Sequence, residues 1–368
     1  MKHFITFFIA VFLYGCHSGE KKDSGDISVF RLENSDSRLL SAVIDSVSFL
    51  PLIEQDSFLF GRVDKLIMQG EYIYLMDIWV SNSLLVFDRT GAFVRKIGKR
   101  GGGPGEYNRL EYFDVDSEHI YLYDGQKRQI LKYDLRGNFI ETKKTPFHAC
   151  GFKILKNRKY LFALDQYSGD EYQIVRTDLD FNVEASFVPF PFEYDDRRGF
   201  MGRYNILQTV DDLIFYNSHH SDTVYSFSNE GDFTGGVLFD FGQKALPERF
   251  RRDIDEFVES TEGRNYNYFD DTPFKVNQVW IGRMVNEGKS ATFMYDNTSD
   301  KYYFYHNNLD YASVDTPMFV NSKYIVGSMD IGGYNYVKNK PPLNSSAMAV
   351  LEDGGHILTF YHLKQNGK

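Results

Sequence analysis

The chain has 368 residues, with 41 basic and 51 acidic side chains, a formal net charge of −10, and 26 Tyr and 33 Phe. An acidic balance of this size excludes the basic footprint of a nucleic-acid-binding surface, so no nucleic acid is expected as a partner. Short runs rich in Tyr and Phe point to an all-β body.

Residues 1–15 read as a signal peptide. Lys2 supplies the positive start, and Phe4 to Leu13 is an apolar run too short to span a bilayer. The ending Leu13-Tyr14-Gly15-Cys16 resembles a lipobox, which implies acylation of Cys16 and an N-terminal lipid as the contact with a membrane. The predicted location is therefore the cell envelope, at the outer membrane. Residues 16–26 are polar and lack apolar periodicity, as in a flexible tether. Residues 27–368 form the predicted folded body. With Cys16 acylated, Cys150 is the only remaining thiol, so no internal disulfide can form. Between Ala149 and Gly151 it reads as a small buried residue rather than a nucleophile.

Further along, the chain repeats itself. Glu71-Tyr72-Ile73-Tyr74-Leu75-Met76-Asp77 recurs as Glu118-His119-Ile120-Tyr121-Leu122-Tyr123-Asp124, an offset of 118 − 71 = 47. Leu85 to Phe93 recurs as Leu131 to Phe139. Each copy ends a strand on Asp88 or Asp134 and places a glycine three residues later, where a tight hairpin needs positive φ. Weaker copies put Asp178 and Ser228 in the Asp slot, and Phe181 and Gly231 in the glycine slot. The Asp-slot steps of 46, 44 and 50 residues (134 − 88, 178 − 134, 228 − 178) are those of propeller blades with four short strands each.

The blades are predicted at 61–97, 110–143, 150–190 and 203–241. A fifth falls within Phe274 to His306, and a sixth starts at Thr316 to Met329 and continues at His356 to Leu363. Val43 to Leu52, at the N-terminus, is predicted to supply the outer strand of the sixth blade and close the ring, which removes an open sheet edge. The segment from Ile27 to Ser37 is expected to matter less. Phe250, Ile254, Phe257 and Val258 follow helical spacing, which predicts one amphipathic helix over Pro247 to Ser260. A second helix is expected from Asn344 to Leu351, stopped at Gly354.

The loop Gly98-Lys99-Arg100-Gly101-Gly102-Gly103-Pro104-Gly105-Glu106-Tyr107 follows the first Asp-x-x-Gly-x-Phe hairpin. With the Ile-Tyr-Leu-x-Asp strands, the N-terminal strand and the lipobox, it resembles the six-bladed, NHL-like β-propeller lipoproteins of gut Bacteroidota over nearly the whole mature chain. The loop lacks the terminal Gly-Lys-Ser/Thr and the following helix of a phosphate-binding loop, so it reads as a close-packed crossing between blades.

Three clusters invite a metal reading and each has a plainer one. Asp114, Asp116 and Glu118 alternate, but straddle a strand end and a turn. Asp296 to Asp300 looks like a hairpin turn and lacks the glycine and terminal glutamate of a calcium loop. His219-His220 lies in a b–c turn without a third ligand nearby in sequence. No nucleophile elbow or metalloprotease motif occurs, and no catalytic residue or cofactor is assigned.

Propellers gather their b–c and d–a loops on one face. Here those loops carry Trp79, Arg100, Glu106, Tyr107, Lys127, Arg128, Tyr167, His219 and His220, side chains suited to contact area and directional hydrogen bonds. The expected function is a binding or scaffolding module for a glycan, peptide or envelope protein. The alternative is a metal-dependent enzyme of lactonase or lyase type, implied by resemblance to other six-bladed propellers. It requires acids from several blades to converge in the central channel.

Overall fold

The computed structural model describes residues 26–32, 43–53, 60–165, 170–191, 205–218, 221–306, 314 and 317–364. Cys16 and the signal sequence, most of the tether, Tyr167, His219 and His220 lie outside them.

Two strands precede the repeats, β1 (Ile27–Arg31) and β2 (Ile44–Pro51). Blade one is the antiparallel sheet β3 (Lys65–Gln69), β4 (Tyr72–Asp77), β5 (Ser83–Asp88) and β6 (Phe93–Ile97). A short parallel pair, β7 (Lys99–Arg100) and β8 (Glu106–Tyr107), brackets the glycine-rich crossing. Blade two is β9 (Leu110–Val115), β10 (His119–Asp124), β11 (Gln129–Asp134) and β12 (Phe139–Lys144). Blade three is β13 (Ala149–Ile154), β14 (Tyr160–Leu164), β15 (Tyr172–Thr177) and β16 (Val183–Pro189). Blade four is β17 (Leu207–Val210), β18 (Leu213–Tyr216), β19 (Thr223–Ser228) and β20 (Phe233–Asp240).

Two short helices follow, α1 (Glu248–Arg252) and α2 (Ile254–Glu259). In blade five, β21 (Asn267–Phe269) and β22 (Phe274–Val276) both pair with β23 (Val279–Asn286), which leads to β24 (Lys289–Asp296) and β25 (Lys301–His306). Blade six runs through β26 (Phe319–Val320) and β27 (Tyr324–Met329), then α3 (Ile331–Tyr336) and α4 (Ser345–Glu352), to β28 (Ile357–Leu363). Its outer strand is β2, antiparallel to β28 from Ile44↔Leu363 to Pro51↔Ile357. The fold is thus a six-bladed β-propeller whose ring the N-terminal strand closes, as the repeat predicted.

The aromatic content sits between blades. Phe113 and Val115 of blade two pack with Met76 and Val86 of blade one, while Phe87 of blade one packs with Leu358 of blade six. Every sheet therefore buries both faces, which the alternation of large side chains on successive strands makes possible. The c–d hairpins match the predicted chemistry. Asp88, Asp134 and Asp178 each accept hydrogen bonds from the amides two and four residues ahead. The slot residue lies at φ +84° in Gly91, and Phe181 takes φ +67° in the third copy.

One expectation changes, and one segment finds a partner the repeat did not give it. The helix predicted over Pro247 to Ser260 breaks at Asp253, whose carboxylate accepts from the amides of Asp255 and Glu256 and so caps a second helix. Val258 is consequently exposed, and Phe250 is the anchor. The segment expected to matter less also has a partner. β1 lies parallel to β20 from Ile27↔Gly236 to Arg31↔Asp240 and gives blade four a fifth strand. Phe30 stacks on Tyr295 at 4.4 Å, which ties that strand to blade five.

Candidate functional site

The b–c and d–a loops form one face of the ring, and a patch between blades one and two carries its exposed aromatic side chain. Buried Asp77, at the end of β4, accepts hydrogen bonds from the amides of Gly61, Val80 and Ser81 at 3.0, 2.9 and 3.0 Å. Asn82 donates to the carbonyls of Ile78 and Leu110 and accepts from the Leu110 amide, joining the loop to blade two. This loop holds Trp79 and Val80 outward, 52% and 66% exposed. The Arg109 guanidinium stands 5.8 Å from the centre of the Trp79 ring and 3.5 Å from Glu111. An indole, a guanidinium and a carboxylate are thus presented on a fixed backbone.

The structure separates the other predicted rim residues by role. Arg100 and Arg128 are exposed on this face. Tyr107 is not a contact residue. It is fully buried and donates to the Asn82 carbonyl at 2.9 Å, because the aromatic ring is needed to fill the core under the crossing. Glu106 is turned inward on its own loop, paired with Lys99 at 2.9 Å and accepting from the Gly103 amide at 2.8 Å. Lys127 reaches the Gly101 carbonyl at 3.3 Å. Tyr133 donates to the Gly105 carbonyl at 2.8 Å, and Phe139 packs on Gly105, whose φ of +71° and lack of Cβ allow that approach. The crossing is therefore packed from within.

The alternating acids do not form one site. Asp114 is buried against Lys153 Nζ and the Ile154 amide, each at 2.7 Å. Asp116 accepts from the amides of Glu118 and His119 in the a–b turn, and Glu118 pairs with Arg158. Among the described residues no three His, Cys, Asp or Glu side chains are grouped to hold a metal ion.

Two features were not visible in the sequence. At the loop-face end of the channel, His148 bonds to Asp165, which raises the imidazole above its ordinary value. Burial raises the nearby Glu111 carboxyl, against the pull of Arg109. Burial also pushes the Cys150 thiol far up, which makes it a poor nucleophile at neutral pH. Deeper in, the inner strands enclose a cavity of about 230 Å³ bounded by Lys65, Tyr112, Asp114, Lys153 and Gln208. These residues stand on the inner strands of four blades, which meet only where the ring closes.

A family model described as "Domain of unknown function (DUF4934)" matches residues 26–361. Among solved structures, a "Putative exported protein" from Bacteroides fragilis is similar with a TM-score of 0.72 at 20% identity, covering 92% of this chain and 100% of that one. A member of the DUF4221 family from Bacteroides vulgatus is similar with a TM-score of 0.54 at 11% identity, covering 88% and 98%. At these identities the likeness is one of fold. No curated protein matches the chain in sequence. Among the described residues no helix is long and apolar enough to cross a membrane.

Proposed function

The chain belongs to the DUF4934 family, and from that premise we propose that it is a lipid-anchored envelope protein that binds a ligand on the face where the b–c and d–a loops meet. The anchor rests on the Leu13-Tyr14-Gly15-Cys16 ending and the polar tether after it. An envelope location agrees with the exported description of the Bacteroides fragilis neighbour. The observation that carries the binding reading is Trp79. A tryptophan is held 52% exposed on a loop fixed by three hydrogen bonds to Asp77, and Arg109 stands over its ring.

A flat apolar ring bordered by a guanidinium and a carboxylate suits a pyranose ring, whose C–H face can lie on the indole while its hydroxyls meet Arg109 and Glu111. A glycan is therefore the ligand class this reading favours over a peptide or a partner protein. Binding of the mature protein to an array of envelope-derived glycans tests it. Wild type is expected to retain a subset of glycans, and Trp79→Ala to lose at least tenfold in affinity for them, about 1.4 kcal/mol. Equal binding by Trp79→Ala, or none by wild type, overturns the reading.

A further inference from the structure

The tether joins the ring far from the Trp79 patch. β1 runs parallel to β20, so its start pairs with Gly236 and its end with Asp240. The Gly236 amide also donates to the Asp26 carbonyl at 3.5 Å, and the Leu32 amide donates to the Asp240 carbonyl at 3.1 Å. Phe30 adds the stacking contact with Tyr295 of blade five. The strand is thus fixed from end to end, and Asp26 marks the point at which the tether enters the body.

Asp26 lies beside the start of β20, just after the c–d hairpin of blade four. That hairpin sits among a–b turns. The Asn229 carbonyl accepts from the Lys156 amide at 3.0 Å, and the Glu230 carbonyl accepts from Asn157 Nδ2 at 3.1 Å, both on the a–b turn of blade three. Asn229 Nδ2 donates to the Asp211 carbonyl on the a–b turn of its own blade at 3.2 Å. The tether therefore enters on the side of the a–b and c–d turns, at the outer edge of blade four. Trp79 stands in the b–c loop of blade one, on the other face, and in a ring of six the first and fourth blades lie directly across from each other. The entry point and the patch thus differ both in face and in position around the ring.

Distance decides what an anchor placed there permits. Ten residues carry the chain from Cys16 to Asp26 (26 − 16), and even fully extended they reach about 35 Å. A body of about 340 residues has a radius of gyration of roughly 20 Å and is roughly 50 Å across. With the Trp79 patch pressed to a bilayer, Asp26 would stand nearly a body's width above it, beyond the reach of the tether. We infer that acylated Cys16 holds the ring with its a–b and c–d turns toward the bilayer and the Trp79 patch away from it. This orientation rests on the lipid anchor proposed above, and it narrows the ligand class of the patch. The patch meets a glycan chain in the aqueous space, not a headgroup of the leaflet that carries the anchor.

Energy transfer to the bilayer surface tests the orientation. The mature lipoprotein, with Cys150→Ala to remove the remaining thiol, is added to preformed vesicles of phosphatidylethanolamine and phosphatidylcholine that carry an acceptor dye on their headgroups. One donor dye is attached at a time, to Glu230→Cys or Asn157→Cys near the entry of the tether, or to Val80→Cys or Arg100→Cys on the loop face. All of these positions are exposed. Transfer is expected to be several-fold greater from 230 and 157 than from 80 and 100. Equal transfer from the two faces, or more from the loop face, overturns the orientation while leaving the anchor intact. If the protein does not float with the vesicles, or Cys16→Ser floats equally well, the anchor fails and the orientation falls with it. Glycan binding through Trp79 is read on the array without a membrane, so its failure is separate from both.

Discussion

Asp77 shows how a repeated residue can be structural. It recurs as Asp124 at the end of the second strand of the next blade, where the carboxylate likewise accepts from the amides of Asn108, Arg109 and Lys127. The repeat made both positions visible, but not their task of tying a b–c loop to the preceding crossing. Burial raises the Asp77 carboxyl, yet the amides of Gly61, Val80 and Ser81 bring it below the ordinary value of 3.8. Its stabilising contribution is therefore present above about pH 4 and lost as the pH falls through the folded value. Asp77→Asn should lower stability by about 2 kcal/mol at neutral pH, because a neutral acceptor replaces a charged one and one oxygen becomes an unwanted donor. Urea unfolding checks this, with the gap between the two proteins narrowing at about pH 3. Lys65 was illegible for a different reason. In Asp64-Lys65-Leu66-Ile67-Met68 it resembles an ordinary strand-edge lysine, and its contacts include Tyr112 on another blade.

At the scale of elements, the repeat located the four blades whose hairpins keep the Asp and glycine slots, and it located β2 because blade six lacked an outer strand. It gave no destination for β1, since a parallel edge strand has no hairpin partner beside it in the chain. Nor did helical spacing reveal the break at Asp253, where a capping carboxylate overrides the apolar pattern. The two N-terminal strands differ in what they hold. β2 pairs along β28, and the chain just after it joins blade six to blade one through the Ile53 amide and the Gly91 carbonyl at 2.8 Å. β1 contributes an edge and the Phe30 contact with Tyr295. A chain starting at Leu39 should lose about 2 kcal/mol and one starting at Phe58 about 5 kcal/mol or more, by ordinary burial and hydrogen-bond magnitudes. Thermal unfolding should rank them full mature protein, then Leu39 start, then Phe58 start. Equal midpoints for the last two would remove β2 from its closing role.

Across the whole molecule, periodicity disclosed the six blades, because each blade is a local unit whose turns and strands are written in consecutive residues. The candidate sites are properties of the ring. Which loops share a face follows from the fold, and Trp79, Arg100 and Arg128 are exposed there. Whether a rim residue points out or in depends on neighbours from other blades, and Tyr107 and Glu106 turned out to serve the crossing itself. The lining of the channel was hidden, since β3, β9, β13 and β17 meet only after the ring closes. The central claim is that the b–c and d–a face meets a ligand in the envelope through Trp79. Its most direct test is photo-crosslinking in intact cells with a photoreactive amino acid at Trp79, or at Asn157 on an a–b turn. The account predicts a discrete adduct from position 79 that is absent from position 157. No adduct from position 79, or the same adduct from both, would contradict it.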